Sequence, residues 1–342
     1  MRNPIVALLS VLFFLPGLGQ GQGTQFFTLS TVKARPLAMG GAFTSVEDDL
    51  AAIQFNPAAF QLYSFPKKGR FTFFLNPVSP FAGAAKRDDL FSGKGDRFDD
   101  VLLSLSLLLK AVSFSMNNLT FGLLLGEQGL NLPASAVSDE VFRAKGFRQN
   151  HAHSFVARVA LADKVSIGGV AHFLYGSKSG NPDDTHTDVA ISYGILLKPE
   201  KGLNIGVSFI NLPDSLEAFR LPVERFVDES VNVGISYRPV AGTLFSLDVR
   251  NLGEEQNLAV REFHFGLEQV LFGHIAVRGG IFRRNNDDNV FSVGIGLFDG
   301  NALHGFEDHF AHREFFLNYA FVYENTDLLD NRWHLLSFYL RL

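Results

Sequence analysis

The sequence predicts an all-β chain, an antiparallel up-and-down transmembrane β-barrel of about fourteen strands preceded by an N-terminal segment outside the wall. Three observations carry this. Past the N-terminus, apolar and polar residues alternate with period two in short segments. The connections between those segments alternate short and long. Of the 342 residues, 46% are hydrophobic and 36 are Phe, yet beyond residue 20 no apolar run approaches the ~18–20 residues of a spanning helix.

Composition removes other classes. The 30 Lys and Arg against 35 Asp and Glu give a net charge of −5, so there is no basic field for nucleic acid. With no Cys, thiol catalysis, cysteine zinc sites, disulfide scaffolds and bacterial lipoproteins are excluded. At the N-terminus, Arg2, the apolar run Ile5–Leu15 and the break Pro16-Gly17-Leu18-Gly19 follow the order of a secretory leader. Residues 1–19 are therefore expected to be cleaved after export.

The strands come next. Val189, Ile191, Tyr193, Ile195 and Leu197 share one face, with Asp188, Ala190, Ser192 and Gly194 opposite. Arg158 lies opposite an apolar row in 155–161, and Leu247 and Val249 oppose Asp248 and Arg250. Arg158, Asp188, Asp248 and Arg250 are the candidate lumen-facing charges, either lining a polar lumen or forming a buried network that fills it. A soluble sandwich would alternate as well, and loop length chooses between them. Asn117-Asn118, Ala162–Lys164, Lys198–Gly202, Pro239–Gly242 and Phe272-Gly273 are short; 77–109, 127–152, 177–186, 212–229 and 252–261 are long. That is the layout of an outer-membrane barrel with both termini on the periplasmic side. The connection 299–312 is long where a short one is expected. A repeated hairpin supports the scheme, since Lys198-Pro199…Gly202 and Arg238-Pro239…Gly242 are each followed eight residues on by Asn-Leu.

In the last strand, Leu336, Phe338, Leu340 and Leu342 form an apolar row and Ser337, Tyr339 and Arg341 the other face. The apolar row is expected to meet lipid, and the strand to close the barrel against Phe71–Leu75, because an open edge in lipid leaves backbone groups unpaired.

Residues 20–66 lack the alternation, and the barrel is expected over 67–342. Within 20–66, Gly40-Gly41 permits close backbone approach. Asp48 or Asp49 is placed to cap a short helix at Leu50–Phe55, and Pro57 to stop it. The stretch AMGGAFTSVEDDLAAIQFNPAAF (38–60) resembles the N-terminal signature of the FadL-like outer-membrane proteins, including their PorV/PorQ branch. HIAVRGGIFRR (274–284) and FFLNYAFVYENTDLLDNRWHLLSFYLRL (315–342) are similar to strands of that branch. The resemblance implies a fourteen-stranded barrel plugged by its N-terminal segment, with Gly40, Gly41, Asp48, Asp49, Asn56, Pro57 and Ala58 as the plug motif. It also implies passage of hydrophobic compounds across the outer membrane or, for the PorV branch, a part in type IX secretion. The chain is shorter than typical fatty-acid transporters and ends in Leu342 rather than Phe, which places it nearer the PorV/PorQ side.

No catalytic constellation emerges: G-x-S-x-G, P-loop and H-E-x-x-H are missing, and Gly294-Ile295-Gly296 is a lone G-x-G within a strand. His151-Ala152-His153 and His304, His309 and His312 lack a third-ligand pattern and read as loop histidines. The chain is therefore expected not to be an enzyme and to need no cofactor or metal. The expected partners are outer-membrane lipid, the barrel-assembly machinery, and either hydrophobic small molecules or secretion-system proteins.

Overall fold

The computed structural model describes residues 23–29, 32–61, 69–76, 105, 108–128, 132–133, 150–177, 185–211, 229–253, 261–284, 289–298, 315–325 and 330–342. The expected leader, the long connection 77–109 apart from 105, 108 and 109, the connection 299–312, and His304, His309 and His312 lie outside them. No described helix is long and apolar enough to cross a membrane.

The strands are β1 (Gly23–Leu29), β2 (Arg70–Leu75), β3 (Leu109–Met116), β4 (Leu119–Gln128), β5 (Leu132–Pro133), β6 (Asn150–Ala162), β7 (Val165–Ser177) and β8 (Thr185–Glu200). They continue as β9 (Leu203–Ile210), β10 (Ser230–Tyr237), β11 (Thr243–Arg250), β12 (Glu262–Leu271), β13 (Ile275–Arg284), β14 (Asn289–Phe298), β15 (Phe315–Asn325) and β16 (Asp330–Arg341). All but β1 and β5 form a closed antiparallel barrel of fourteen, each strand paired with its neighbour in sequence and β16 with β2. Each of the fourteen alternating segments is a wall strand, because a strand in such a wall meets lipid on one face and the lumen on the other. The outward row is apolar and exposed, as at Val189, Ile191, Tyr193, Leu247, Phe265 and Val293, while the buried inward row carries Ser, Asn, Gly and charge.

Turn chemistry fixes the short-turn end. Asn117 takes a positive φ of 51° in its two-residue turn, and Gly202 and Gly242 take 82° and 83° in the repeated hairpins. The first of these hairpins is tighter than expected. β8 runs on to Glu200 through a bulge after Leu197, leaving only Lys201-Gly202 as the turn.

Two features of the N-terminal segment differ from expectation. First, Gly23–Leu29 is a strand, paired in parallel with β16 from Gly23↔Asp330 to Leu29↔Leu336. Parallel pairing puts Gly23 at the long-loop end and Leu342 at the short-turn end, so the two ends of the described chain lie at opposite ends of the barrel. Second, helix α2 is only Ala52–Phe55, starts from Ala51 and has no side-chain cap. Asp49 Oδ1 accepts from the Leu50 amide at 2.6 Å instead, and Asp48 Oδ1 from the Asp49 amide at 2.7 Å. An earlier helix, α1 (Ala34–Ala38), has Pro36 in its first turn, where no amide hydrogen is needed. Residues 32–61 are almost wholly buried and pack against the inward faces of the strands.

Candidate functional site: the segment held inside the barrel

The inner segment runs close to the wall because the wall has no side chains there. A β-carbon on Gly168 would lie 2.3 Å from the Pro57 carbonyl carbon, and one on Gly280 2.0 Å from the Gly40 nitrogen. The corresponding approaches are 2.2 Å from Gly206 to the Thr44 oxygen and 2.5 Å from Gly266 to the Met39 oxygen. These glycines pair with one another across strands, as Gly168↔Gly194, Gly206↔Gly234 and Gly266↔Gly280. The result is a collar of missing side chains into which the segment's backbone fits.

Buried backbone amides and carbonyls need partners, and wall side chains supply them. Gly40 donates its amide to Ser292 Oγ at 2.9 Å, and its carbonyl accepts from His264 Nδ1 at 2.6 Å. Arg250 donates to the Gly41 carbonyl. Asp248 Oδ2 accepts the amides of Phe43 at 2.7 Å and Thr44 at 2.8 Å. The Ser45 carbonyl accepts from Ser236 Oγ at 3.0 Å and Asn204 Nδ2 at 3.2 Å. Asn56 braces the centre: Nδ2 donates to the carbonyls of Thr44 at 2.8 Å and Ile195 at 3.2 Å, and Oδ1 accepts the Ala58 amide at 3.0 Å. Pro57 opens a short 3-10 turn over 57–59, and the Ala58 carbonyl accepts from Arg158 Nε at 3.0 Å and Ser166 Oγ at 2.8 Å.

An ionic chain ties the same segment to the wall nearer the short-turn end. Arg35 donates to Glu268 through Nε at 2.8 Å and Nη2 at 2.7 Å, and to Asp48 through Nη1 at 2.6 Å. Arg278 donates to Glu268 at 2.6 Å and to Asn318 at 2.9 Å. A bidentate guanidinium–carboxylate pair keeps its geometry when dry, and the two acids hold the buried Arg35 charge well above its ordinary pKa. Glu47 is held below the usual carboxylate range, burial being outweighed by Lys198 beside it. Asp49 is different. Besides the Leu50 amide, its side-chain partner is the Tyr339 hydroxyl, at 3.0 and 3.1 Å, with Arg341 only at 3.9 Å. Burial, with Asp48 adjacent, raises it to about 7.

The structure thus brings Arg158, Asp248 and Arg250 onto the inner segment at Ala58, Phe43–Thr44 and Gly41. Asp188 is not with them. It is half-buried at the long-loop end of β8, six residues or about 20 Å from Gly194, where Asn56 docks. In β16, Ser337, Tyr339 and Arg341 are buried, while Leu336 and Leu342 are exposed and Phe338 and Leu340 half-exposed. Sequence reasoning missed Arg35, His264, Glu268 and Arg278. Glu268 and Arg278 carry a usable signal, being charges on the inward face of well-marked strands. Among the described residues no group of three His, Cys, Asp or Glu is placed to hold a metal.

A closed fourteen-stranded barrel with a hydrogen-bonded inner segment defines the architectural class. No protein-family model and no curated protein matches the sequence. Among solved structures, the chain is similar to the Pseudomonas putida toluene transporter TodX, at 11% identity over 93% of this chain and 98% of that one, with a TM-score of 0.44. A Pseudomonas aeruginosa FadL homologue shows 11% identity over 92% and 97%, with a TM-score of 0.43. A Rh. blastica porin variant shows 8% identity over 68% and 77%, with a TM-score of 0.35.

Proposed function

We propose that the protein is an outer-membrane barrel that passes hydrophobic small molecules, its N-terminal segment acting as a plug that excludes hydrophilic solutes. One observation carries this reading. On the long-loop side of the plug the inward faces of β13–β16 carry an apolar patch, Phe282, Val290, Val322, Trp333 and Leu335, clustered with Leu37 of α1, with the buried Glu324 beyond it. A pore for water-soluble solutes presents polar side chains there, whereas an apolar wall offers hydrophobic molecules a place to rest. Placement in the outer membrane, with the long loops at the cell surface, follows from the apolar outward band, which only lipid covers without cost. Export through a cleaved leader and insertion by the barrel-assembly machinery go with that placement.

The test uses the purified protein in liposomes. Swelling in arabinose should stay at the level of empty liposomes, while radiolabelled toluene or oleate should bind the intact barrel and lose affinity in Leu335→Gln. Rapid swelling in arabinose would overturn the reading. The tightness of the plug, bonded from β6 through β12, β14 and β16, favours a second reading. In it the barrel is a sealed outer-membrane component of a type IX-like secretion system, to which neither probe binds and with which secretion proteins co-purify. PorV/PorQ membership belongs with that second reading.

A further inference from the structure

The closing seam of the barrel is unlike its other seams. Among the described residues β16 pairs with β2 only at Leu340↔Leu75 and Arg341↔Phe74, extended by the reciprocal bonds of Phe73 and Leu342 at 2.9 Å. From Asp330 to Leu336 the partner on that side is β1. The N-terminal strand thus completes the wall along the long-loop half of β16, where unpaired backbone in lipid would cost several kcal/mol per group.

We propose that β1 is a latch: a strand threaded in from the free end of the chain that closes the wall and pins the plug, leaving the N-terminus at the cell surface. This goes beyond the transport reading and holds whatever the barrel passes. The parallel direction is the first support. Every other wall strand is tied to its neighbour by a connection at one end, but β1 lies beside the strand farthest from it in sequence and runs the same way. Such a strand has no hairpin to guide it and adds only after β16 is in place.

The tether is the second support. Three Cα steps join Leu29 in β1 to Val32, which is buried in the core with the plug, a reach of at most about 11 Å. While β1 stays paired, the start of the plug at Val32 is held within that reach of the wall. The other edge of β1 is the third. Among the described residues it pairs with Leu132 and Pro133 alone, and proline has no amide hydrogen to give. A strand fully paired on one side alone opens at lower cost than its doubly paired neighbours, so the latch can release without unfolding the barrel.

Two measurements test this without any ligand. The first is hydrogen exchange of the plug amides in the chain lacking residues 20–29. We expect exchange over 37–61 at least tenfold faster than in the full chain, with β6–β15 as protected as before and heat-modifiable gel migration retained. Removing a strand that merely rests on the wall would leave plug exchange unchanged, and that result overturns the proposal. The second uses the absence of Cys. Gln25→Cys with Arg332→Cys, a facing pair, should cross-link in intact cells, and a tag preceding Gly23 should be reached by antibody from outside. A tag reached only after the outer membrane is broken overturns the threaded direction. A failure of the toluene and arabinose experiments would leave both results standing.

Discussion

Gly279 and Gly280 are neighbours in β13 that point to opposite sides of the wall, and substituting each by Ala separates plug seating from barrel stability. A β-carbon on Gly279 would meet nothing nearer than Ser292 O at 4.0 Å, so Gly279→Ala should be neutral or slightly stabilising through the unfolded chain, by about 0.4–1 kcal/mol. On Gly280 the same carbon would lie 2.0 Å from Gly40 N and 2.3 Å from Met39 C. Both are backbone atoms that no rotamer change can move, so the plug must retreat by more than an ångström. Overpacking of this kind costs about 1–3 kcal/mol. The retreat also stretches the Gly40 bonds to Ser292 and His264, at about 0.5–1.5 kcal/mol each. A loss of about 2–6 kcal/mol in seating is a shift of about 30- to 26,000-fold in the plug-opening equilibrium. Hydrogen exchange over 37–44, followed by mass spectrometry, reads that shift, and heat-modifiable migration reports whether the barrel still forms. Equal exchange in the two variants would refute the collar.

Other outcomes follow from the same geometry. Asn56→Ala leaves the Thr44 and Ile195 carbonyls without their donor and should weaken seating by about 2–3 kcal/mol, read as faster exchange at Thr44–Ala58. Val293→Arg puts a charge in lipid midway along β14, where it should cost about 2–4 kcal/mol in urea unfolding from vesicles. Phe338→Arg, near the end of β16, should cost about 1 kcal/mol, and Tyr339→Arg should cost nothing to the lipid face but should release Asp49. The pH dependence has a definite sign. With Asp49 raised to about 7, seating binds a proton, so its contribution is fullest below the ordinary carboxylate range and is lost as pH rises through about 7. Beyond the intrinsic pH dependence of exchange, plug exchange should accelerate as pH rises from about 4 to about 7 and level off above that, and Asp49→Asn should flatten the profile.

Sequence by itself determined the wall. A strand between lipid and lumen is specified locally, residue against next residue, so fourteen alternating segments and their short turns are legible without any knowledge of partners. The same logic set 20–66 apart from the alternating segments and put Arg158, Asp188, Asp248 and Arg250 opposite the apolar rows. Tertiary structure decided what those inner residues meet. Arg35 and Glu268 are 233 positions apart, and nothing near either announces the other; the wall glycines become a collar only once β7–β10, β12 and β13 stand round the same axis. It also decided β1. Gly23–Leu29 sets Phe26 beside Phe27 and lacks the alternation of the other strands, because this strand is specified by an edge, the long-loop half of β16 with which it pairs. An unpaired edge in lipid recruits whatever backbone can reach it, and the reach comes from the barrel's closure.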